Sequence, residues 1–229
     1  MKTASYTVMF TDIQGFTART SRQTRAENER LLRFHDALLL PVVQGYLGRR
    51  VKTIGDAYLV VFDSATRALA CGAAIQDRLA AYNRNLPDGE RIDVRIALSA
   101  GEVRVERGDV FGATVNIASR VEGLAAAGEV CFTESVYLLA DRSCFDVVKL
   151  GPRTLKGIPE PVEIFRLRRD ESLPMPYGGG ALESLGLPEP TPEALVGFWR
   201  PGAKRLAAAA AVAVAAIGGY GAFAWLHRT

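Results

Sequence analysis

The chain has 229 residues, of which 48% are hydrophobic and 23% charged, a composition that suits one globular domain with an appendage. Its formal net charge of +3 is too small, and its basic residues are too scattered, to indicate a nucleic-acid partner. The three cysteines, Cys71, Cys131 and Cys144, match no zinc or redox spacing, so we expect reduced thiols in a cytosolic domain.

The first half of the chain alternates between strand-like and helix-like periodicity. Alternating β-forming residues predict strands, and apolar residues three and four apart predict amphipathic helices. The predicted elements are a strand at 6–10, a long helix at 24–48, strands at 50–54 and 58–62, and a second helix at 64–86. Because the two middle strands are separated only by a short turn, they predict a hairpin with Asp56 at its tip.

The second half of the chain predicts shorter elements. They are strands at 92–99 and 101–107, a helix at 114–126, a strand at 130–132, a helix at 134–140, and strands at 145–150 and 162–167. Because 92–107 is a second predicted hairpin, we expect largely antiparallel pairing. The predicted fold class is therefore α+β, with helices packed on a mixed, mostly antiparallel sheet.

The composition changes near residue 170. Residues 171–202 hold most of the prolines and a run of three glycines, which predicts a linker without a core of its own. We therefore expect a folded domain at 1–170, this linker, and a C-terminal segment at 203–229.

The C-terminal segment predicts a transmembrane helix. Residues 206–226 contain no charged side chain and reach the ~20 residues needed to cross a bilayer. Lys204 and Arg205 precede this stretch and Trp225 lies near its far end, so we expect a single-pass anchor in the cell membrane with residues 1–170 in the cytoplasm. The amino terminus lacks a secretory signal pattern, in keeping with that orientation. Because alanine is weakly apolar, an Ala-rich helix that packs on protein is the alternative.

Two aspartates lie where a predicted strand runs into a turn. Asp12 belongs to Phe-Thr-Asp-Ile-Gln-Gly (10–15) and Asp56 to Lys-Thr-Ile-Gly-Asp-Ala (52–57). A single aspartate in a turn often only caps it, whereas paired carboxylates favour hard divalent cations. Two further polar motifs follow, Gly-Asp-Val-Phe-Gly-Ala-Thr-Val-Asn-Ile-Ala-Ser-Arg (108–120) and Leu-Lys-Gly (155–157).

Taken in this order, the motifs resemble those of a known enzyme family. Residues 6–168 are similar to the catalytic domain of class III nucleotidyl cyclases, the adenylate and guanylate cyclases, and most similar to the bacterial adenylate cyclases. The resemblance implies a ferredoxin-like α+β domain that acts as a head-to-tail homodimer with active sites at the interface.

The resemblance also implies a role for each matched residue. Asp12 and Asp56, with the backbone carbonyl of Ile13, would hold two divalent cations, Mg²⁺ or Mn²⁺, in each active site. The other matched residues would hold ATP: Lys52 and Asp109 the purine, Asn116 the ribose, Arg120 the α-phosphate in the transition state, and Lys156 the terminal phosphates. Asn116 and Arg120 are four residues apart on a predicted helix and therefore share a face.

The chemistry of the purine pair favours ATP over GTP. A lysine donates to adenine N1 and an aspartate accepts from the N6 amino group, whereas guanine reverses the hydrogen-bond polarity at both positions. Each mispaired group would cost ~1–3 kcal/mol. The expected activity is that of an adenylate cyclase, which forms 3′,5′-cyclic AMP and pyrophosphate by attack of the ribose 3′-hydroxyl on the α-phosphate.

Three alternatives stay open at this point. One is a guanylate cyclase. Another is an inactive nucleotide-binding regulatory module, which we would expect to have lost a metal-binding aspartate, Asn116 or Arg120. The third is a diguanylate-cyclase-like enzyme, which predicts a Gly-Gly-Asp/Glu-Glu-Phe turn that this sequence lacks. Some relatives use one more arginine on the phosphates, and Arg104 and Arg107 are both candidates for it.

Overall fold

The computed structural model of the protein describes residues 2–168 and 185–198. In chain order the strands and helices of the first range are β1 (Lys2–Ile13), α1 (Phe16–Thr20), α2 (Arg25–Gly45), β2 (Arg49–Ile54), β3 (Ala57–Phe62), α3 (Ala65–Asn83), β4 (Val94–Glu106), β5 (Asp109–Phe111), α4 (Ala113–Glu122), β6 (Val130–Thr133), α5 (Glu134–Leu139), β7 (Val147–Arg153) and β8 (Val162–Leu167). One more helix, α6 (Pro192–Phe198), lies in the second range.

All the strands belong to one sheet. Their order is β2-β3-β1-β4-β6-β8-β7, and β5 pairs with the end of β4. The pairing of β4 with β6 is parallel, and the other described pairings are antiparallel. The predicted α+β class with a mixed, mostly antiparallel sheet is confirmed.

The predicted hairpin at 92–107 is wrong, because this segment forms the single strand β4. It pairs with β1 along the whole length of that strand, from Ile13 opposite Val94 to Lys2 opposite Val105. Gly101 resembles a turn residue in the sequence, but its role is steric. A Cβ atom there would lie 2.7 Å from the side-chain oxygen of Thr114 on α4. The glycine therefore lets a helix cross close to an unbroken strand.

Different helices cover the two faces of the sheet. Successive side chains of β1 point to opposite faces and so show which residues lie under which helices. Met9 and Ile13 pack in the larger core, beneath α2 and α3. Val8 and Phe10 point the opposite way, into a smaller cluster that includes Ala118 of α4. By the same alternation Asp12 lies on the α4 face.

Particular residues at the start and just after the end of helix α2 fix its position. Thr24 and Glu27 form a reciprocal capping box at its start, which satisfies backbone N–H groups that have no partner within the helix. After its last turn the chain passes Gly48, where a Cβ atom would lie 2.5 Å from the ring of Phe62. The end of α2 is therefore packed tightly against β3, and β2 begins directly afterwards.

A β-bulge in β2 decides which way Lys52 points. The pairing with β3 shifts between Arg50, which lies opposite Val60, and Lys52, which lies opposite Leu59. In a regular strand these two residues would share a face. Here the extra residue at the bulge leaves Arg50 on the α2 side and places Lys52 on the α4 side.

Part of the predicted linker is structured. Within 185–198, α6 forms, and Leu195 is 1% exposed in the larger core. In the two described ranges we find no helix of sufficient length and apolarity to span a bilayer. The predicted transmembrane segment, 206–226, lies outside those ranges and stays a prediction.

Candidate active site

The two predicted metal-binding aspartates lie next to each other. Asp12 is near the end of β1, and Asp56 is in the turn between β2 and β3. The backbone N–H of Ile13 donates to Oδ2 of Asp56 at 2.9 Å, which ties that turn to the end of β1. Asp56 is only 8% exposed, so its carboxylate sits in a largely dry position.

An arginine that we did not single out from the sequence completes this cluster. Arg95 lies opposite Asp12 in the β1–β4 ladder and donates to its Oδ2 from Nε at 3.1 Å and from Nη2 at 2.7 Å. The same guanidinium contacts the carboxylate of Glu122, the last residue of α4. We call Asp12, Asp56, Glu122 and Arg95 the acidic cluster.

The acidic cluster carries more negative than positive charge. Burial, and then the charge of Asp12, raise the pKa of Asp56. Burial also raises the pKa of Glu122, against the charge of Arg95, and Asp12 and Asp56 add to the rise. Burial lowers the pKa of Arg95, but its bond to Asp12 and the surrounding carboxylates outweigh this and raise it overall. Three carboxylates therefore share one guanidinium, an arrangement that favours a further cation.

Lys52 and Asp109 meet at another place on the same face of the sheet. The ammonium of Lys52 lies 2.6 Å from Oδ2 of Asp109, and Oδ1 of Asp109 accepts from the N–H of Val110 at 2.8 Å. Burial raises the pKa of Asp109, but the hydrogen bonds from Lys52 and from the N–H of Val110, together with the charge of Lys52, outweigh it, so the pKa is lowered overall. The ammonium also lies 5.6 Å from the ring centre of Phe111.

Two of the remaining predicted residues, Asn116 and Arg120, lie on the exposed side of helix α4. The hydroxyl of Thr114 donates to the backbone carbonyl of Glu102 at 2.9 Å and fixes the start of α4 on β4. Asn116 and Arg120 are exposed on this helix. Nε of Arg120 donates to the backbone carbonyl of Lys156 at 3.3 Å. The structure therefore brings Arg120 and Lys156 together.

A known protein family matches most of the chain. Residues 1–169 match the family model of the adenylate and guanylate cyclase catalytic domain. The chain belongs to this family. The resemblance inferred from the motifs is thereby confirmed.

Several known proteins are similar to this chain. The chain is 46% identical over 178 residues to the serine/threonine-protein kinase pkn2 of Myxococcus xanthus, covering 78% of this chain and 21% of that protein. It is 34% identical over 159 residues to putative adenylate cyclase 3 of Rhizobium meliloti, covering 69% and 27%. A solved adenylate/guanylate cyclase/hydrolase from Silicibacter pomeroyi is similar with a TM-score of 0.68 and 29% identity, over 74% of this chain and 99% of that one. The cyclase domain thus spans less than a third of either curated relative.

The oxygen donors of the acidic cluster fit a divalent cation. Among residues 2–168 and 185–198 no three His, Cys, Asp or Glu side chains form a complete metal site by themselves. Mg²⁺ and Mn²⁺ do not need one, because such ions are commonly held by one or two carboxylates together with water and substrate oxygens. The uncompensated charge around Asp12 and Asp56 supports this fit.

The two arginines that the sequence left as candidates, Arg104 and Arg107, have other surroundings than Arg95. Arg104 lies over the ring of Phe111, 5.3 Å from its centre. Arg107 is exposed in the turn between β4 and β5, with a φ of 51°. Of these three arginines, the structure gives only Arg95 contacts with the carboxylates of the acidic cluster. Its signal in the sequence is a cationic residue in the mostly apolar first half of β4, residues 94–100.

The predicted site residues form separate groups within one chain. In the described part of the chain, no hydrogen bond or ion pair that the structure gives for Asp12 or Asp56 joins them to Asn116, Arg120 or Lys156. The acidic cluster, the Lys52–Asp109 pair and the Arg120–Lys156 contact are each held by their own neighbours. Within the described residues, the hydrogen bonds and ion pairs therefore divide the predicted site residues into separate groups.

Proposed function

We propose that this cyclase domain is an adenylate cyclase that converts ATP to 3′,5′-cyclic AMP and pyrophosphate. The observation that carries the proposal is the Lys52–Asp109 pair. After their mutual bond, Lys52 keeps further N–H donors and Asp109 keeps acceptor lone pairs. These match adenine N1 and the N6 amino group, and they oppose guanine at both positions.

Asp12 and Asp56, with the backbone carbonyl of Ile13, would hold two divalent cations. When bound, these cations would acidify the ribose 3′-hydroxyl and neutralise negative charge on the triphosphate. Asp12 would have to exchange its bond with Arg95 for a bond to a cation. We assign the additional phosphate-binding arginine to Arg95, because the release of Asp12 would leave it open N–H donors beside the same site while Glu122 still holds its guanidinium.

The other polar residues of the domain act on the nucleotide directly. Asn116 would orient the ribose, and Arg120 would donate to the charge that develops at the α-phosphate. Such a donor stabilises the transition state more than the ground state, and this difference lowers the barrier. Lys156, an exposed and flexible cation, suits the terminal phosphates.

We infer that the active enzyme is a homodimer. Asp12 and Asp56 would come from one protomer, and the residues that hold the nucleotide from its partner. Asp56→Ala and Arg120→Ala should each be inactive alone. An equal mixture should recover about a quarter of the wild-type rate, because half of the dimers are mixed and each mixed dimer holds one intact site. A mixture that stays inactive would count against shared sites.

The substrate test compares ATP and GTP with Mn²⁺ or Mg²⁺ in the full chain, with detection of each 3′,5′-cyclic product. We expect cyclic AMP formation with a clear excess of kcat/KM for ATP. A preference for GTP would identify a guanylate cyclase instead. Failure of the folded protein to form either product, in either metal, would favour a regulatory nucleotide-binding module.

We also propose that residues 203–229 anchor the enzyme in the cell membrane, with the cyclase domain in the cytoplasm. The uncharged stretch at 206–226 and the preceding Lys204 and Arg205 support this orientation. The full chain should sediment with membranes and resist extraction by salt and alkali. Extraction by salt alone would refute a transmembrane anchor.

A further inference from the structure

Residues 185–198 are an addition to the cyclase domain. The family model ends at residue 169, and the solved relative is covered to 99% of its length by 74% of this chain. The added segment nevertheless packs on the domain, against α2 and α3. We call residues 185–198 the clamp.

The clamp makes specific apolar contacts with α2 and the core. Leu195 of α6 is fully buried, and Leu185 and Leu187 pack against the same core. Gly45, the last residue of α2, leaves the space that Leu185 fills. A Cβ atom at Gly45 would lie 2.4 Å from one methyl carbon of Leu185 and 2.6 Å from the other. The end of α2 is thus shaped for this segment.

A buried cation lies beneath the clamp. Arg78 of α3 is 4% exposed, and its Nη1 donates to the backbone carbonyl of Pro188 at 3.1 Å. Its buried Nε has no hydrogen-bond partner. Among residues 2–168 and 185–198 the structure gives Arg78 no anionic partner, and a buried guanidinium without one is costly. Its bond to Pro188 in the docked clamp regains part of the hydration that Arg78 gives up on burial.

The contact between the clamp and Gly45 lies close to the strand that carries Lys52. Gly48 packs directly on Phe62, and β2 follows with its bulge before Lys52. A displacement of the last turn of α2 would reach the bulge through a few tightly packed residues. The apolar C-terminal stretch of the chain begins a few residues after the clamp.

We propose that the docked clamp fixes the substrate site through the end of α2. Docking holds β2 in the register that places Lys52 beside Asp109, and release of the clamp loosens β2 and slows turnover. The effect on turnover rests on the proposed cyclase function. The effect on the order of β2 does not.

The test uses the full chain and two variants that displace the clamp in different ways. Gly45→Ala puts a methyl group where the side-chain methyls of Leu185 pack, so these must move away, while alanine itself favours the helix. Leu195→Glu places a charge in the core. The matched controls are Gln44→Ala, an exposed neighbour of Gly45, and Val196→Glu, whose side chain is 57% exposed.

Hydrogen exchange is followed at 185–198 and at 49–54, together with the rate of cyclic nucleotide formation. In Gly45→Ala and Leu195→Glu we expect exchange at 185–198 to rise about tenfold or more, a smaller rise at 49–54, and a severalfold fall in kcat. Both controls should match the wild type in all three measurements.

Unchanged exchange at 185–198 in both displacing variants, each shown to be folded, would overturn docking. Faster exchange there with no change at 49–54 would overturn the coupling. If the wild type forms no cyclic product, the proposed function fails, while exchange at 49–54 still decides the coupling.

Discussion

Two ion-paired regions lie on the same face of the sheet, and their charge balance differs. In the acidic cluster, three carboxylates surround the guanidinium of Arg95 in a partly buried position. In the other region, one ammonium and one carboxylate form a balanced and more exposed pair, Lys52 and Asp109. The first region needs additional positive charge, and the second needs none. Sequence position does not distinguish the two regions, but their charge balance does. The excess negative charge of the acidic cluster suits metal ions, and the balanced charge of the Lys52–Asp109 pair suits an uncharged purine.

The strongest test of this contrast removes one charge from the acidic cluster. Asp56→Asn keeps an acceptor for the N–H of Ile13 but no longer offers a carboxylate to a cation. We expect cyclase activity to fall roughly 10³-fold, about 4 kcal/mol in the barrier, with the fold preserved. Activity with Mn²⁺ and circular dichroism measure the two effects.

The matched control is Asp63→Asn, which changes an exposed aspartate just beyond β3. It should leave both the activity and the fold unchanged. Comparable loss in both variants would show that a general reduction of negative charge, rather than a metal site at Asp56, is responsible.

The next largest effect should follow from removal of the positive charge. Arg95→Met leaves the carboxylates of the acidic cluster without their counter-ion. We expect the metal-free protein to lose about 2–3 kcal/mol of unfolding free energy, less than for a fully buried pair because Arg95 is partly exposed. Mn²⁺ should restore much of this loss, so the metal-induced rise in Tm should be larger in the variant than in the wild type.

Arg91→Met is the control for that measurement. Arg91 pairs with the highly exposed Asp88 and should contribute under about 1 kcal/mol, with no change in the response to Mn²⁺. An equal metal response in Arg95→Met and the wild type would contradict the view that Arg95 and a cation share the same carboxylates.

Several residues of the two ion-paired regions could be predicted from the sequence, because they lie in short local motifs. Asp12, Lys52, Asp56 and Asp109 each stand in a motif whose turn or strand is set by neighbouring residues. The α+β class likewise followed from local periodicity. The structure adds the partners of these residues, which lie far away along the chain.

The features that the sequence did not reveal depend on long-range contacts. Arg95 became part of the site through its register with Asp12, 83 residues away. Gly101 lies next to the predicted turn of the hairpin at 92–107, but its role, the close approach of Thr114, depends on packing between distant segments. The burial of Leu195 in the larger core has the same origin. The bulge before Lys52 instead depends on the register within the β2–β3 hairpin. Local pattern carries no information on register or on docking between distant segments.

The Lys52–Asp109 pair should control which base is bound rather than the rate of the chemical step. Asp109→Asn offers guanine O6 an N–H group, while the amide oxygen can still accept from adenine N6. We expect the ratio of kcat/KM for ATP over GTP to fall roughly tenfold, at the lower end of the cost of one mispaired group. Initial rates with both nucleotides measure it. Phe111→Leu, which keeps both hydrogen-bonding groups, should change this ratio far less, and an equal fall in both variants would refute base readout by Asp109.

The smallest expected effect is the pH dependence of stability in the metal-free protein. The acidic cluster and the Lys52–Asp109 pair should contribute to it with opposite signs. The raised pKa of Asp56 means that the folded state binds a proton more readily than the unfolded chain. This contribution to stability is present in acid and is lost as pH rises through the raised pKa. The lowered pKa of Asp109 gives the reverse, a contribution present above the ordinary pKa of an aspartate and lost as pH falls through the lowered value.

Denaturant unfolding of the two asparagine variants in chelator, from neutral to acid pH, separates these contributions. At neutral pH, Asp56→Asn should be more stable than the wild type, since it removes a buried charge beside Asp12, and the difference should shrink in acid. Asp109→Asn should be less stable by under about 1 kcal/mol at neutral pH, because its pair is partly exposed, and this difference should also shrink in acid. If both variants were destabilised at neutral pH, the acidic cluster would not hold the excess negative charge that a divalent cation requires.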